Sequence, residues 1–235
     1  VVEVPLRANA EFSLDRPAVH SALTDSRVKL VFLCAPGNPT ATDLAEEDVL
    51  AVLHATRDRA LVVVDEAYVE FAGRGSWSTR LTEFPNLVVL RTLSKAYSLA
   101  GARVGAVLAD TSVIELLERI LPPYSMSTGT IESVLRALDP KAMPIAHARI
   151  ARLVGERPTW ATLLQALPSV LRVGPSATNF LYVTVHDPRE FLRRATRGGF
   201  LLRDFSGGPL TPGAVRISLG DNAACMQLIE VLQTP

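Results

Sequence analysis

Short runs of consecutive apolar residues, each closed by a polar cluster, dominate the first half of the chain. KLVFLC at 29–34 predicts a strand that ends at the turn-rich APGNPT of 35–40. LVVV at 61–64 predicts a second strand, ending at Asp65. LVVL at 87–90 predicts a third, leading into Arg91-Thr92-Leu93-Ser94-Lys95, and 104–108 a fourth. Between the first two, Leu44, Val49, Leu50 and Leu53 share one helical face, with Asp43 and Glu46 spaced as a capping box. Continuous apolar runs separated by helices are the signature of an α/β fold with a parallel or mixed sheet covered on both faces. Residues 1–6 alternate like a strand.

The pattern changes after Pro122-Pro123 and Asp139-Pro140. Residues 145–167 predict a long helix, with Pro158 as the place for a kink. Beyond it, 170–173, 180–185, 200–203 and 214–219 predict short strands, with helices near 188–196 and 223–232. The chain therefore divides into a large domain over 1–140 and a smaller α+β domain over 141–235. No internal repeat or low-complexity tract interrupts it.

Composition narrows the function classes. The chain has 235 residues, 48% of them hydrophobic, which suits a packed protein and not a disordered one. Lys plus Arg and Asp plus Glu balance at 24 each, so neither a nucleic-acid stripe nor an acidic tail is expected. Two cysteines, Cys34 and Cys225, are too few for a disulfide framework and suit a reducing, cytoplasmic setting. No targeting segment and no membrane-length apolar run is visible. The chain opens without an initiator Met, which suggests an upstream portion. His20, His54, His147 and His186 lack ligand spacing, so no metal is expected. Gly101 and Gly105 make no dinucleotide fingerprint, and Ser94 sits in no nucleophile elbow. Arg193, Arg194 and Arg197 read as a solvated helix face, and Trp77 and Trp160 as packing residues.

The strand ends carry the candidate chemistry. In an open α/β sheet the carboxyl ends of the strands line the ligand crevice. Asn38, Asp65, Tyr68, Ser94, Lys95 and Arg103 can converge there. A lysine at a partly buried strand end can act as an amine nucleophile towards an aldehyde. An aspartate can keep a pyridine nitrogen protonated, and a tyrosine and an asparagine can bond the ring's phenolic oxygen. Ser94 and Arg103 can take a phosphate. Each residue alone has an ordinary role: a helix cap or turn for Asp65 and Asn38, a solvated cation for Lys95 or Arg103, a packed ring for Tyr68. Their order after successive strands favours the joint reading.

The segments APGNPT (35–40), VVVDEAYVEFA (62–72) and RTLSKAYSLAGARVGAVLA (91–109) resemble the fold-type I aminotransferases, dependent on pyridoxal 5'-phosphate, and most of all the histidinol-phosphate aminotransferases. LPPYSMST (121–128), SATNFLYV (176–183), FLLRDF (200–205) and AVRISLG (214–220) extend the likeness over nearly the whole chain. The resemblance implies that Lys95 binds the cofactor as an imine and shuttles a proton. It implies that Asp65 pairs with the pyridinium and that Tyr68 and Asn38 hold the phenolic oxygen. Ser94 and Arg103 would take the phosphate with Thr92 nearby, and Arg203 and Arg216 the substrate's anionic group. It implies a homodimer acting on a small amino donor and a keto acid: histidinol phosphate plus 2-oxoglutarate, giving imidazole-acetol phosphate plus glutamate. Alternatives are a lyase like threonine-phosphate decarboxylase, an aromatic aminotransferase and an inactive fragment. Where the family reads Asn-Asn-Pro-Thr-Gly, this chain has Gly37-Asn38-Pro39-Thr40-Ala41. The family's N-terminal stretch, with a phosphate-cup loop, a ring-stacking aromatic and an intersubunit arm, is not in these residues.

Overall fold

Two four-stranded sheets organise the computed structural model, which describes residues 1–233. The first has the order β1 (Leu30–Cys34), β2 (Leu61–Asp65), β3 (Leu87–Thr92), β4 (Gly105–Ala109). β1, β2 and β3 run parallel, and β4 closes the row antiparallel to β3. The period of two sends Leu33, Val62, Val64, Leu87 and Val89 to one face. There they pack with Val49, Val52 and Leu53 of α2 (Glu46–Thr56) and Val19 of α1 (Arg16–Ala22). Each of these buried side chains stabilises the fold by about 1.5–3 kcal/mol.

The opposite face departs from the expected double cover. Val63 and Val88 at its centre are buried, but Leu30 and Phe32 at one margin and Val107 at the other are exposed. The strands are apolar on both faces, although helices pack fully on only one.

The second sheet has the order β5 (Val170–Val173), β6 (Phe180–Val185), β8 (Ala214–Ser218), β7 (Arg203–Asp204), all antiparallel. Leu181, Val183, Val185, Val215 and Ile217 face a helical layer. It is built from Trp160 and Leu164 of α5 (Met143–Gln165), Phe191 of α6 (Pro188–Arg197) and Leu228 and Ile229 of α7 (Asn222–Gln233). The alternate residues Phe180, Tyr182 and Ala214 face the other way. They pack on Ala41, Tyr68, Phe71 and Ala96 from the loops of the first sheet. β6 is therefore buried on both faces, and its outer side is the seam between the two units.

Several sequence expectations are corrected. Residues 1–6 form no strand: Pro5 interrupts the alternation, and pairing begins only with the Arg7–Ser13 bridge. The capping box does not form, because Ala45 is the N-cap of α2 and the Asp43 carboxylate is engaged by Arg74 instead. The expected strand over 200–203 contracts to Arg203–Asp204. Two helices with no predicted counterpart, α3 (Thr111–Glu118) and α4 (Thr128–Ala137), follow β4, and neither contains a buried residue. α5 runs unbroken through Pro158. Trp77 and Trp160 are packing residues, each in a core. Among the described residues no helix is long and apolar enough to cross a membrane.

Candidate functional site

A continuous chain of contacts joins four of the candidate residues, Lys95, Tyr68, Arg216 and Asn38, through Phe180. The ammonium of Lys95 lies 5.6 Å from the centroid of the Tyr68 ring. Tyr68 meets Phe180 edge-on at 5.2 Å between centroids. The Arg216 guanidinium sits 5.0 Å above Phe180 and 6.0 Å from Phe205. Arg216 Nη1 then donates to Asn38 Oδ1 at 2.8 Å.

Local structure explains each placement. Asn38 stands in the tight loop after β1, held by Gly37 N–H to Thr42 O (2.8 Å) and Ala41 N–H to Gly37 O (3.1 Å). Both X-Pro bonds of this loop, Ala35-Pro36 and Asn38-Pro39, are cis. Ala41 has a φ of 64°, and this left-handed conformation costs a non-glycine residue about 1–2 kcal/mol. It falls where the resembling sequences carry glycine. Asp65 ends β2 and accepts from Ala67 N–H at 3.0 Å. In register, Asp65 is flanked by Cys34 on β1 and Leu90 on β3. It thus shares a sheet face with Cys34 and, two residues beyond Leu90, with Thr92. Tyr68 begins the short 3-10 turn Val69–Phe71 and is buried.

Thr92 and Ser94 form a hydroxyl pair at 2.9 Å, and Thr92 Oγ1 also receives the Ser94 N–H at 3.1 Å. Gly105 lies opposite Thr92, and a Cβ there would stand 2.8 Å from Arg91 O. The missing side chain lets β4 close on the end of β3. Arg103 is exposed, adopts a φ of 56° and donates to Ala100 O at 2.9 Å. The structure thus keeps it close in sequence to Val104, whose carbonyl meets Thr92 Oγ1 at 3.3 Å, but gives it no bond to Ser94 or Thr92.

Lys95 is exposed, in contrast to the partly buried amine expected from its place after an apolar strand. It lies beyond the last strand residue, in the loop that opens the seam. Arg203 and Arg216 are Cα partners on β7 and β8. Two like charges set opposite each other are disfavoured unless an anion lies between them. Arg216 Nε is buried without a partner among the described residues, a donor left for such an anion. Cys34 is exposed, yet the atoms crowding its thiol partly desolvate it and, with the neighbouring Asp65 charge, push the thiol up.

Sequence reasoning missed several supporting residues. Glu66 is completely buried directly after Asp65, and a second acid continuing the DEAY run is the signal that could have marked it. Arg157 on α5 donates to Phe71 O at 3.1 Å and Thr178 O at 2.8 Å, spanning the seam. Its guanidinium has its pKa lowered by burial. Phe180, the aromatic link in the contact chain, was read only as a strand residue.

The donor set matches pyridoxal 5'-phosphate in chemistry: an amine, a carboxylate at a neighbouring strand end, a phenol, an amide, and two paired hydroxyls.

The model of the aminotransferase class I and II family matches residues 1–232. A histidinol-phosphate aminotransferase of Aeromonas salmonicida is 40% identical over 94% of this chain and 61% of its own length. One from Stenotrophomonas maltophilia is 41% identical, again over 94% of the chain and 61% of the relative. The chain spans about six tenths of the length of the curated relatives it matches. The crystal structure of a histidinol-phosphate aminotransferase from Sinorhizobium meliloti with pyridoxal-5'-phosphate superposes with a TM-score of 0.85 at 27% identity, covering 99% of this chain and 63% of that one.

Proposed function

We propose, because this chain belongs to the class I and II aminotransferase family, that it is the lysine-bearing part of a pyridoxal-5'-phosphate-dependent histidinol-phosphate aminotransferase. The whole enzyme would interconvert histidinol phosphate and 2-oxoglutarate with imidazole-acetol phosphate and glutamate. The observation that supports the reading is the unbroken contact chain Lys95–Tyr68–Phe180–Arg216–Asn38, which brings an amine and an arginine to one seam.

When bound, the cofactor supplies an aldehyde for an amine and a ring that draws electrons from the substrate's α-carbon. The protein's own groups do the rest. Lys95, on an exposed loop, would attach the cofactor, take the proton from the substrate's α-carbon and deliver it to the cofactor's aldehyde carbon, across the nitrogen that joins the two. Asp65 holds a proton on the pyridine nitrogen. Tyr68 and Asn38 fix the ring through its phenolic oxygen. Thr92 and Ser94 would bind the phosphate, with Arg103 as a further cation for it. Arg216 binds the carboxylate of the keto acid, and Arg203, its cross-strand neighbour, a second anionic group.

The two cores support a division into a large unit over 1–140 and a small one over 141–235, with substrate closing between them. Leu116, Ile120, Leu121 and Leu135 are exposed on and after the uncovered helices α3 and α4, which supports a homodimer. Cysteine usage supports a cytoplasmic setting.

The test is borohydride reduction of the protein mixed with pyridoxal 5'-phosphate, followed by peptide mapping. The cofactor should be found on Lys95, and Lys95→Ala should lose both the adduct and keto-acid-dependent transfer from histidinol phosphate. An adduct elsewhere, or full turnover by Lys95→Ala, refutes the assignment. Release of carbon dioxide from threonine phosphate would move the reading to a lyase.

A further inference from the structure

Behind the seam, one side chain grips the supports of both Asn38 and Asp65. Arg74 lies between Gly73 and Gly75, half-buried. Its Nε donates to Asp43 Oδ2 at 2.5 Å and its Nη2 to Asp43 Oδ1 at 3.2 Å. Nη2 also donates to Ala35 O at 2.9 Å, and Nη1 to Gly75 O at 2.8 Å and Glu66 Oε1 at 3.0 Å. All five N–H donors of the guanidinium are used. Ala35 opens the Asn38 loop directly after β1, Asp43 follows that loop, and Glu66 is the residue after Asp65.

Glu66 is anchored in turn. Its carboxylate accepts from Trp77 N–H at 2.9 Å and from the Ser76 hydroxyl, and Arg91 Nη1 lies 3.9 Å away. Arg91 pairs with Glu70 at 2.7 Å. The charged row Asp43–Arg74–Glu66–Arg91–Glu70 therefore runs beneath the ends of all three parallel strands. Neutralising a buried glutamate needs only one of the five Arg74 donors. Three others go to Asp43 and Ala35, which hold the two ends of the Asn38 loop.

We infer that Arg74 is a positioning residue that sets the spacing between Asn38 and Asp65, and so the fit of the aromatic cofactor between them. This rests on the proposed function for the identity of the cofactor. The clamp itself is legible without it.

The test uses the whole protein with two variants. Arg74→Lys keeps a cation beside Glu66 but loses the planar fork that spans Asp43, Ala35 and Glu66. The double variant Arg74→Met, Glu66→Gln removes both charges and guards against a simple folding failure. Amide exchange is followed at Ala35, Gly37 and Ala41, whose N–H groups bond to Asp65 O, Thr42 O and Gly37 O. Pyridoxal 5'-phosphate binding and the pH midpoint of its absorbance are followed in parallel. Both variants should keep a cooperative melt and normal exchange in β6. They should exchange faster at the three loop amides, bind the cofactor about tenfold or more weakly, and shift the absorbance midpoint. Parent-like exchange at those amides together with a parent-like midpoint overturns the inference, as does failure of both variants to fold. A parent protein that takes up no cofactor refutes the proposed function, while loop exchange still decides the clamp.

Discussion

Arg216 Nη1 and Asn38 Oδ1 are 2.8 Å apart although 178 residues separate them in the chain. The bond ties the last-but-one strand of the second sheet to the first loop of the other. Its partners are the residues proposed to meet substrate anion and cofactor ring, so what happens at one is felt at the other. Arg216→Lys removes the forked donor while keeping the charge. The KM for 2-oxoglutarate should then rise about tenfold to a hundredfold, with a smaller change in kcat. Steady-state kinetics decides; an unchanged KM would remove Arg216 from the substrate site.

Cys34 reports on Asp65. The two are register partners on adjacent parallel strands, and the thiol is raised by partial desolvation and then by the Asp65 carboxylate. A thiolate forming beside a carboxylate is disfavoured, so neutralising position 65 moves the thiol's midpoint down. Asp65→Asn should therefore speed iodoacetamide labelling of Cys34 at pH 8, and the labelling midpoint should fall. Mass spectrometry across a pH series measures this. A midpoint that stays put or rises would mean that the carboxylate does not act on this thiol.

Gly105→Ala tests how closely β4 must approach. The added Cβ would meet Arg91 O at 2.8 Å, a backbone atom that cannot rotate away. Relieving the clash moves the strand bearing the Thr92 hydroxyl. The expected cost is about 1–3 kcal/mol of stability, as for other overpacked sites. Weaker cofactor binding should accompany it. Urea unfolding and cofactor titration should show both effects, and a variant matching the parent in each would contradict the close packing.

How far the sequence was legible depends on whether the cause was local. The four strands of the first sheet were readable because runs such as LVVV at 61–64 are apolar on both faces. The position of Asp65 at the end of β2 was readable for the same reason, and that of Lys95 three residues beyond β3. Asp43 was misread because a distant guanidinium outcompeted the local cap, and no window around 43–46 contains Arg74. α3 and α4 escaped because they flank the Pro122-Pro123 break and pack no residue into a core. The contact chain through Phe180 was not readable, since it depends on which face of β6 meets the first sheet. The exposure of Lys95 is set by the loop that carries it, which the preceding run LVVL does not encode.

Arg157 should couple the two units. It supplies N–H groups to Phe71 O on one side of the seam and to Thr178 O on the other. Arg157→Met keeps much of the apolar stem but leaves Phe71 O without its donor and Thr178 O with only the long bond from the Ser176 hydroxyl at 3.4 Å. The expected loss is about 1–3 kcal/mol, the cost of one unsatisfied acceptor. Unfolding should also become less cooperative, with tryptophan fluorescence from Trp77 and Trp160 splitting into separate transitions. A single transition with a loss under about 0.5 kcal/mol would show that the other seam contacts suffice.

The exposed apolar residues Leu116, Ile120, Leu121 and Leu135, on and after α3 and α4, have a practical consequence. Water gains by shedding contact with a surface of this kind, so isolated molecules should cluster as they are concentrated and bind dyes that fluoresce on oily patches. Mild detergent should disperse such clusters without melting either core. Colloidal behaviour, and not conformational stability, is then the property that these residues govern.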